Sequence, residues 1–253
     1  MEQWEVVSTG HTDAVVRRSP DGLCYVKSGS GPVRDELSDE RDRLLWLATT
    51  DLPAPEVLDW EDDGESATLT TATAPGIPLS ELPREAVPEG ARSLGLFLRR
   101  LHDMARESCP FERWLAVTMG LAQVQTGEGR VDEDDFDEER EGRSAAELLD
   151  ALVEDRPRAE RLEMGDLVIC HGDACLPNFL VDPGTFEVTA MIDVGRLGVA
   201  DRHLDLALAT RSMSDTSLNP AYGPEATTAM LDAYGLTTDP WRLDFYRLLD
   251  ELF

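Results

Sequence analysis

The sequence predicts an α+β fold in two lobes: a small, mostly antiparallel β lobe with one main helix over residues 1–75, and a larger, mainly helical lobe over 76–253. Three observations predict it. Residues 4–27 and 57–71 are short β-type runs separated by turn residues such as Pro20-Asp21-Gly22 and Asp62-Asp63-Gly64. The strand pattern breaks at Ala72-Thr73-Ala74-Pro75-Gly76. Beyond it, apolar residues recur mostly at three- and four-residue spacings, the period of an amphipathic helix.

In the first lobe, Glu5-Val6-Val7, Ala14 to Arg17 and Leu23 to Lys27 read as strands. The small-residue loop from Ser8 and Thr9 to Asp13 admits two readings. Its backbone N–H groups and hydroxyls can cover phosphates, or it is an ordinary hairpin turn. No GxxxxGK[ST] loop is present. Lys27 is the only lysine among 23 basic residues. A chain that otherwise uses Arg has kept one compact ammonium, which differs from a guanidinium most where a point charge must meet an anion.

The helix that follows, from about Val33 to Thr49, carries Leu37, Leu44, Leu45, Leu47 and Ala48. Glu40 lies on this apolar stripe, where a carboxylate is costly unless paired. Lys27 at the end of the preceding strand is the expected partner of Glu40. Glu36 is the rival, and a Glu40 reaching water at the stripe's edge is the alternative. Pro53 and Pro55 end the helix, and residues 57–60 and 67–71 form a hairpin. Thr73 and Ala74 sit where a hinge offers backbone groups to a planar base, although any linker has this composition.

The second lobe begins with an amphipathic helix over 91–107, with Leu94, Phe97, Leu98, Leu101 and Met104 as core and His102 structural. Segment 131–141 has eight acidic residues in eleven. It lacks the glycine of a calcium loop and reads as a solvated face, or as a lip attracting a polycation. Ser144-x-x-Glu147 is a capping box opening a helix to about Asp155. Helices follow over 203–211 and 225–234, the latter stopped by Gly235. Asp239-Pro240 opens the last, burying Trp241, Phe245, Leu248, Leu249 and Leu252. Asp250, Glu251 and the carboxylate of Phe253 crowd the negative end of that helix. Either the end frays or a cation belongs there.

The stretch Cys170-His171-Gly172-Asp173-Ala174-Cys175-Leu176-Pro177-Asn178 carries the chemistry. Two apolar runs follow, joined by Asp182-Pro183-Gly184-Thr185, which predicts a hairpin with a type II turn. The hairpin would bring Asn178 and Asp193 together at one end, with Asp173 on the loop before it. A carboxylate five residues before an Asn, then a second Asp after a hairpin, is the spacing of a phosphoryl-transfer catalytic loop and its metal-binding Asp. Asp173 would orient an acceptor hydroxyl and take its proton, and Asn178 and Asp193 are hard oxygen ligands suited to Mg2+. Loop polar residues capping a hairpin are the plain alternative. The preceding His-Gly and the Ile-Asp-x-Gly at the right distance favour catalysis.

A formal charge of −28 argues against nucleic acid and anionic membrane as partners. It favours a cationic ligand or simply high solubility. No apolar run approaches membrane-spanning length, so a cytoplasmic location is expected. A monomer is expected too, a dimer remaining open. The four cysteines show no CxxC pair, which suggests reduced thiols, and a zinc site from Cys170, His171 and Cys175 lacks a fourth ligand.

Residues 171–178 and 192–202, with 46–50 and 245–251, resemble the aminoglycoside 3′-phosphotransferases. The resemblance spans nearly the whole chain and is weakest before Lys27. It implies a two-lobed, protein-kinase-like fold that uses ATP and Mg2+ to phosphorylate the 3′-hydroxyl of a cationic aminoglycoside, giving resistance. It further implies Asp173 as the catalytic Asp, Asn178 and Asp193 as metal ligands, and Lys27 with Glu40 as the pair gripping phosphates. The drug-binding acids would be Asp135, Asp137, Glu138, Asp250, Glu251 and the Phe253 carboxylate, lined by Arg196 and Arg211. One departure is Ser212, where the family usually has an acidic residue; Asp215 is the candidate to compensate. A kinase of another hydroxylated molecule would not need the acidic lip and tail. A non-catalytic binding protein would lack one of Lys27, Asp173 or the metal ligands.

Overall fold

Short runs rich in Val and Thr between Gly- and Asp-containing turns make the strands that open the chain. The computed structural model describes residues 4–7 and 14–253; Ser8 and Thr9 lie outside the described residues. By its contacts the chain divides into two compact units, Met1–Ala86 with Pro177–Arg196, and Val87–Leu176 with Leu197–Phe253. The boundary expected at residue 75 follows the break in the strand pattern, whereas the first contact unit runs to Ala86 and takes in residues 177–196.

In the first unit, β1 (Glu5–Val7), β2 (Val15–Arg18), β3 (Cys24–Ser30), β4 (Val57–Asp62) and β5 (Ser66–Ala72) form an antiparallel sheet in the order β1-β2-β3-β5-β4. Helix α1 (Pro32–Leu47) starts with Pro in its first turn after Gly31 at φ 59, a conformation that suits glycine. Val33, Leu37, Leu44 and Leu47 are buried. Leu45, expected on the apolar stripe, is 51% exposed, and Ala48 stands just past the helix as its C-cap. Leu45 falls one residue off the i, i+3, i+4 rows of the buried face, and Ala48, four after Leu44, lies where the helix has already ended.

A second sheet of this unit joins distant parts of the chain: β6 (Ile77–Pro78), β8 (Phe179–Val181) and β9 (Val188–Met191), in the order β6-β8-β9. Gly76 (φ 114) precedes β6, and a Cβ there would stand 2.7 Å from the Val181 carbonyl oxygen. The expected hairpin β8–β9 is present, but its turn is not type II. Gly184 is absent from the positive-φ residues, which include Phe186 (φ 61) instead. The Asp182 carboxylate accepts from the amides of Gly184 and Thr185, both at 2.8 Å, so an Asx turn replaces the Pro-Gly turn.

In the second unit, β7 (Leu167–Cys170) and β10 (Gly198–Asp201) pair antiparallel among helices. Helix α2 spans Val87–His102 rather than 91–107, so Met104 lies outside it. Its stripe Leu94, Phe97, Leu98 and Leu101 is buried as expected. It packs on α6 (Pro224–Tyr234), which stops at left-handed Gly235. A Cβ at Gly95 would collide with the Met230 carbonyl, so a glycine is required for that approach. Helix α3 (Leu115–Gly127) packs on α4 (Ala145–Glu163), whose capping box of Ser144 and Glu147 is formed. Helix α4 runs past the predicted end at Asp155 and through Pro157. Pro157 has no N–H for the Val153 carbonyl, so the helix passes it with one hydrogen bond fewer. Helix α5 (Arg202–Ser214) and α7 (Pro240–Asp250) are capped by Asp201 and Asp239. Phe245, Tyr246, Leu249 and Leu252 close the core with Leu148, Leu152 and Leu208.

Candidate active site

The first unit assembles an anion-gripping group around Lys27. Lys27 lies within β3, paired with Val16 and Leu69 on either side. Glu40 projects from the buried face of α1, three residues after Leu37 and four before Leu44. The Lys27 Nζ donates to Glu40 Oε1 and Oε2 at 2.8 and 2.9 Å and also to Asp193 Oδ1. Burial by itself would lower the Lys27 pKa. The Glu40 and Asp193 carboxylates outweigh it and hold the ammonium well above its ordinary range. Lys27 therefore stays charged at neutral pH.

Asp193 follows β9 in a left-handed conformation, φ 55. Asp is one of the few non-glycine residues that occupy this region readily. The Ile192 amide donates to the Asn178 carbonyl at 2.9 Å, so Asn178 and Asp193 sit together at one end of the hairpin. Asn178 is buried. The Val194–Arg196 turn lies against α1, a Cβ at Gly195 meeting that of Glu40 at 3.7 Å. Thr73 is fixed to the β2–β3 turn: its amide donates to Leu23 O at 2.9 Å and its hydroxyl to Gly22 O at 2.7 Å. Ala74 beside it is half-buried. Arg196 belongs to this unit and Arg211 to the other.

In the second unit the Asp173 loop hangs from Asp205. That fully buried carboxylate accepts from the amides of His171 (2.7 Å) and Gly172 (2.9 Å), the latter residue at φ 85. His102 Nε2 lies 3.0 Å from Asp205, and His102 Nδ1 lies 2.8 Å from the Tyr234 hydroxyl. The Asp173 amide donates to His171 Nδ1 at 3.2 Å, and the Leu176 amide to Ser212 Oγ at 3.0 Å. Ser212 thus anchors the far end of the loop, a hydroxyl's task that an acidic residue would perform with a charge. Asp215 turns its carboxylate to Ser217 and Leu218, whose amides donate at 2.9 and 3.2 Å.

The acidic end of α7 carries its cation from within the chain. Arg211, in the last turn of α5, reaches Asp250 through Nη2 and Glu251 Oε1 through Nη1 at 3.1 Å. The expected alternatives, a frayed end or a bound cation, did not include this arginine of the chain itself. Glu251 Oε2 also accepts from the Asp137 amide at 3.2 Å. Burial, then the nearby Asp137 charge, pushes the Glu251 carboxyl up to about 7 against the pull of Arg211. Asp135 and Glu138 are exposed on the same acidic segment, and Phe253 is half-buried with the Arg113 guanidinium 5.8 Å from its ring centroid.

Cys170, His171 and Cys175 do not converge as a trio. The converging trios among the described residues are His102–Cys170–Asp205 and Asp166–Asp201–His203. Their carboxylates and imidazoles are engaged within the protein, Asp201 taking Arg242, Tyr246 and His203. Burial pushes the Cys170 and Cys175 thiols well above their ordinary range, so neither offers a thiolate. Sequence reasoning gave His102 a structural role without its partners, and missed the supporting tasks of Tyr234 and Ser212. His102 beside an apolar stripe was the one legible signal.

A strand lysine ion-paired to a carboxylate of the next helix, with an Asn and an Asp brought together on a hairpin, defines an enzyme of the phosphoryl-transfer class on a protein-kinase-like fold. The chain belongs to the phosphotransferase enzyme family, whose sequence model matches residues 2–246. It is 39% identical to the aminoglycoside 3′-phosphotransferase of Streptomyces fradiae, covering 99% of this chain and 95% of that one. It matches the crystal structure of an aminoglycoside 3′-phosphotransferase of type VIII with a TM-score of 0.89 and 42% identity, over 99% of this chain and 93% of that chain. An aminoglycoside phosphotransferase of the 3″ type from Streptomyces rimosus, solved with ADP and streptomycin, matches with a TM-score of 0.88 and 35% identity, over 99% of this chain and 92% of that chain. Among the described residues, no helix is long and apolar enough to cross a membrane.

Proposed function

We propose that this enzyme transfers the γ-phosphoryl group of ATP to the 3′-hydroxyl of an aminoglycoside antibiotic and so confers resistance. The observation that carries the reading is the Lys27 ammonium held between Glu40 and Asp193. A half-buried cation fixed by two carboxylates is preorganised to meet phosphate oxygens without being reoriented during reaction. Residues 1–75 are the nucleotide lobe and 76–253 the catalytic and acceptor lobe. Thr73 and Ala74 present backbone groups to the adenine, Thr73 being pinned for that purpose.

The donor set fits Mg2+: Asn178 and Asp193 supply an amide and a carboxylate oxygen on one hairpin end, both hard oxygen ligands. When bound there, Mg2+ would neutralise charge on the phosphates. Asp173 orients the acceptor hydroxyl and receives its proton as the new oxygen–phosphorus bond forms and the bond to the β-phosphate oxygen breaks, releasing ADP. Asp205, through the His171 and Gly172 amides, holds the loop that presents Asp173. Asp135, Asp137, Glu138, Asp250, Glu251 and the Phe253 carboxylate hold the acceptor's ammonium groups, and Arg196, Arg211 and Asp215 are further acceptor-site residues.

The test is ATP turnover dependent on kanamycin or neomycin, with streptomycin as the competing acceptor and Asp173→Ala as control. The expected result is turnover with the first two and a loss of about 10,000-fold in the variant, the scale of removing a positioned general base. Turnover with streptomycin alone would move the reading to the 3″-hydroxyl. Turnover undiminished in the variant would remove the mechanism.

A further inference from the structure

Arg140 is the only cation in the acidic run 131–141, and it is buried, its side chain 6% exposed. Its Nη1 meets Asp137 Oδ2 and Glu139 Oε2 (3.4 Å), and its Nη2 meets Asp244 Oδ1 on α7 at 2.6 Å and the Asp244 carbonyl at 3.5 Å. Its own amide closes the turn on Asp137, to the carbonyl at 2.9 Å and to Oδ1 at 3.1 Å. The Asp137 amide in turn donates to Glu251. The run is thereby tied to Asp244 on α7 and to Glu251 at its C-cap, and Arg140 makes the first of these ties. Eight carboxylates in eleven residues repel one another and would drive an untethered segment away from the equally acidic end of α7. One planar guanidinium satisfies carboxylates on two different elements at once, a geometry that an ammonium does not reproduce.

We propose that Arg140 is a positioning residue for acceptor recognition: it holds the acidic lip against α7 and aims Asp137, without itself touching the antibiotic. The inference rests on the reading of the lip and the C-terminal acids as the acceptor site. It predicts that loss of Arg140 weakens the acceptor and spares the nucleotide.

The experiment compares wild type, Arg140→Met, Arg140→Lys and Asp244→Asn in steady-state kinetics with neomycin and ATP. Asp244 is a surface residue, so its variant tests the same tether where Arg140→Met fails to fold. Arg140→Met is expected to raise KM for neomycin about tenfold or more, with kcat and KM for ATP within about twofold, and Arg140→Lys to recover only part. Asp244→Asn should raise the same KM about threefold. A folded Arg140→Met with unchanged KM for neomycin would overturn the proposal, as would equal losses for both substrates or, where it does not fold, an Asp244→Asn indistinguishable from wild type. Wild type that turns over no aminoglycoside would instead overturn the functional reading beneath it.

Discussion

Lys27 shows how a single residue is specified. Its ammonium is compact enough to take two Glu40 oxygens and one Asp193 oxygen together. An arginine would keep the charge, but its planar fork is larger and fixed in direction. Lys27→Arg should therefore lower kcat/KM for ATP by about 100-fold, the scale of losing one preorganised electrostatic contact. Calorimetric binding of neomycin should be little changed. A variant within about threefold of wild type in kcat/KM would mean that charge alone matters at this position. Glu40 was legible because a carboxylate on an apolar stripe demands a partner. Its choice of Lys27 was inferable because strand and helix adjoin in sequence.

At the scale of elements, α4 and α3 are joined by Glu163, whose carboxylate caps α3 by accepting from the Leu115 amide at 2.9 Å. Burial pushes this carboxyl up to about 7 from an ordinary value of 4.5, against the pull of the Leu115 amide. The sign follows from linkage. Below about pH 4.5 both folded and unfolded chains hold the proton, and the group contributes nothing. Between about 4.5 and 7 the unfolded chain ionises first, so the folded state is progressively disfavoured; above 7 the penalty is constant. Glu163→Gln keeps an oxygen for the Leu115 amide and removes the titration. Its melting temperature relative to wild type should rise between pH 5 and pH 8, and an offset equal at both pH values would refute the assignment. The α4 segment itself was half legible. Its capping box is a local pattern, whereas its continuation through Pro157 depends on packing of Leu148, Leu152 and Ala159 that outweighs one lost hydrogen bond.

For the molecule as a whole, the charge of −28 is unevenly used. Arg140 and Arg211 neutralise part of the acidity of the lip and the end of α7, leaving the remainder to attract a cation. Attraction of this kind is screened over about 8–10 Å at physiological salt. Raising salt from about 50 to about 500 mM should increase KM for neomycin several-fold, with no comparable rise in KM for ATP, which the same field repels. A salt-independent KM for neomycin would place acceptor recognition in neutral hydrogen bonds instead.

The sequence by itself determined the α+β character, most elements and the hairpin that joins Asn178 to Asp193, and it favoured Lys27 as the partner of Glu40. These depend on spacing within a strand, a helix or a turn, where the period of the backbone dictates which residues are neighbours. Only the tertiary structure decided that Arg211 serves Asp250 and Glu251, that Asp205 holds the Asp173 loop, that Ser212 anchors its far end, and that Asp182 rather than a Pro-Gly turn shapes the hairpin. A buried charge or unpaired amide must find a partner, but distance through space selects it. Residues such as Arg211 and Glu251 become neighbours only when α5 and α7 pack together.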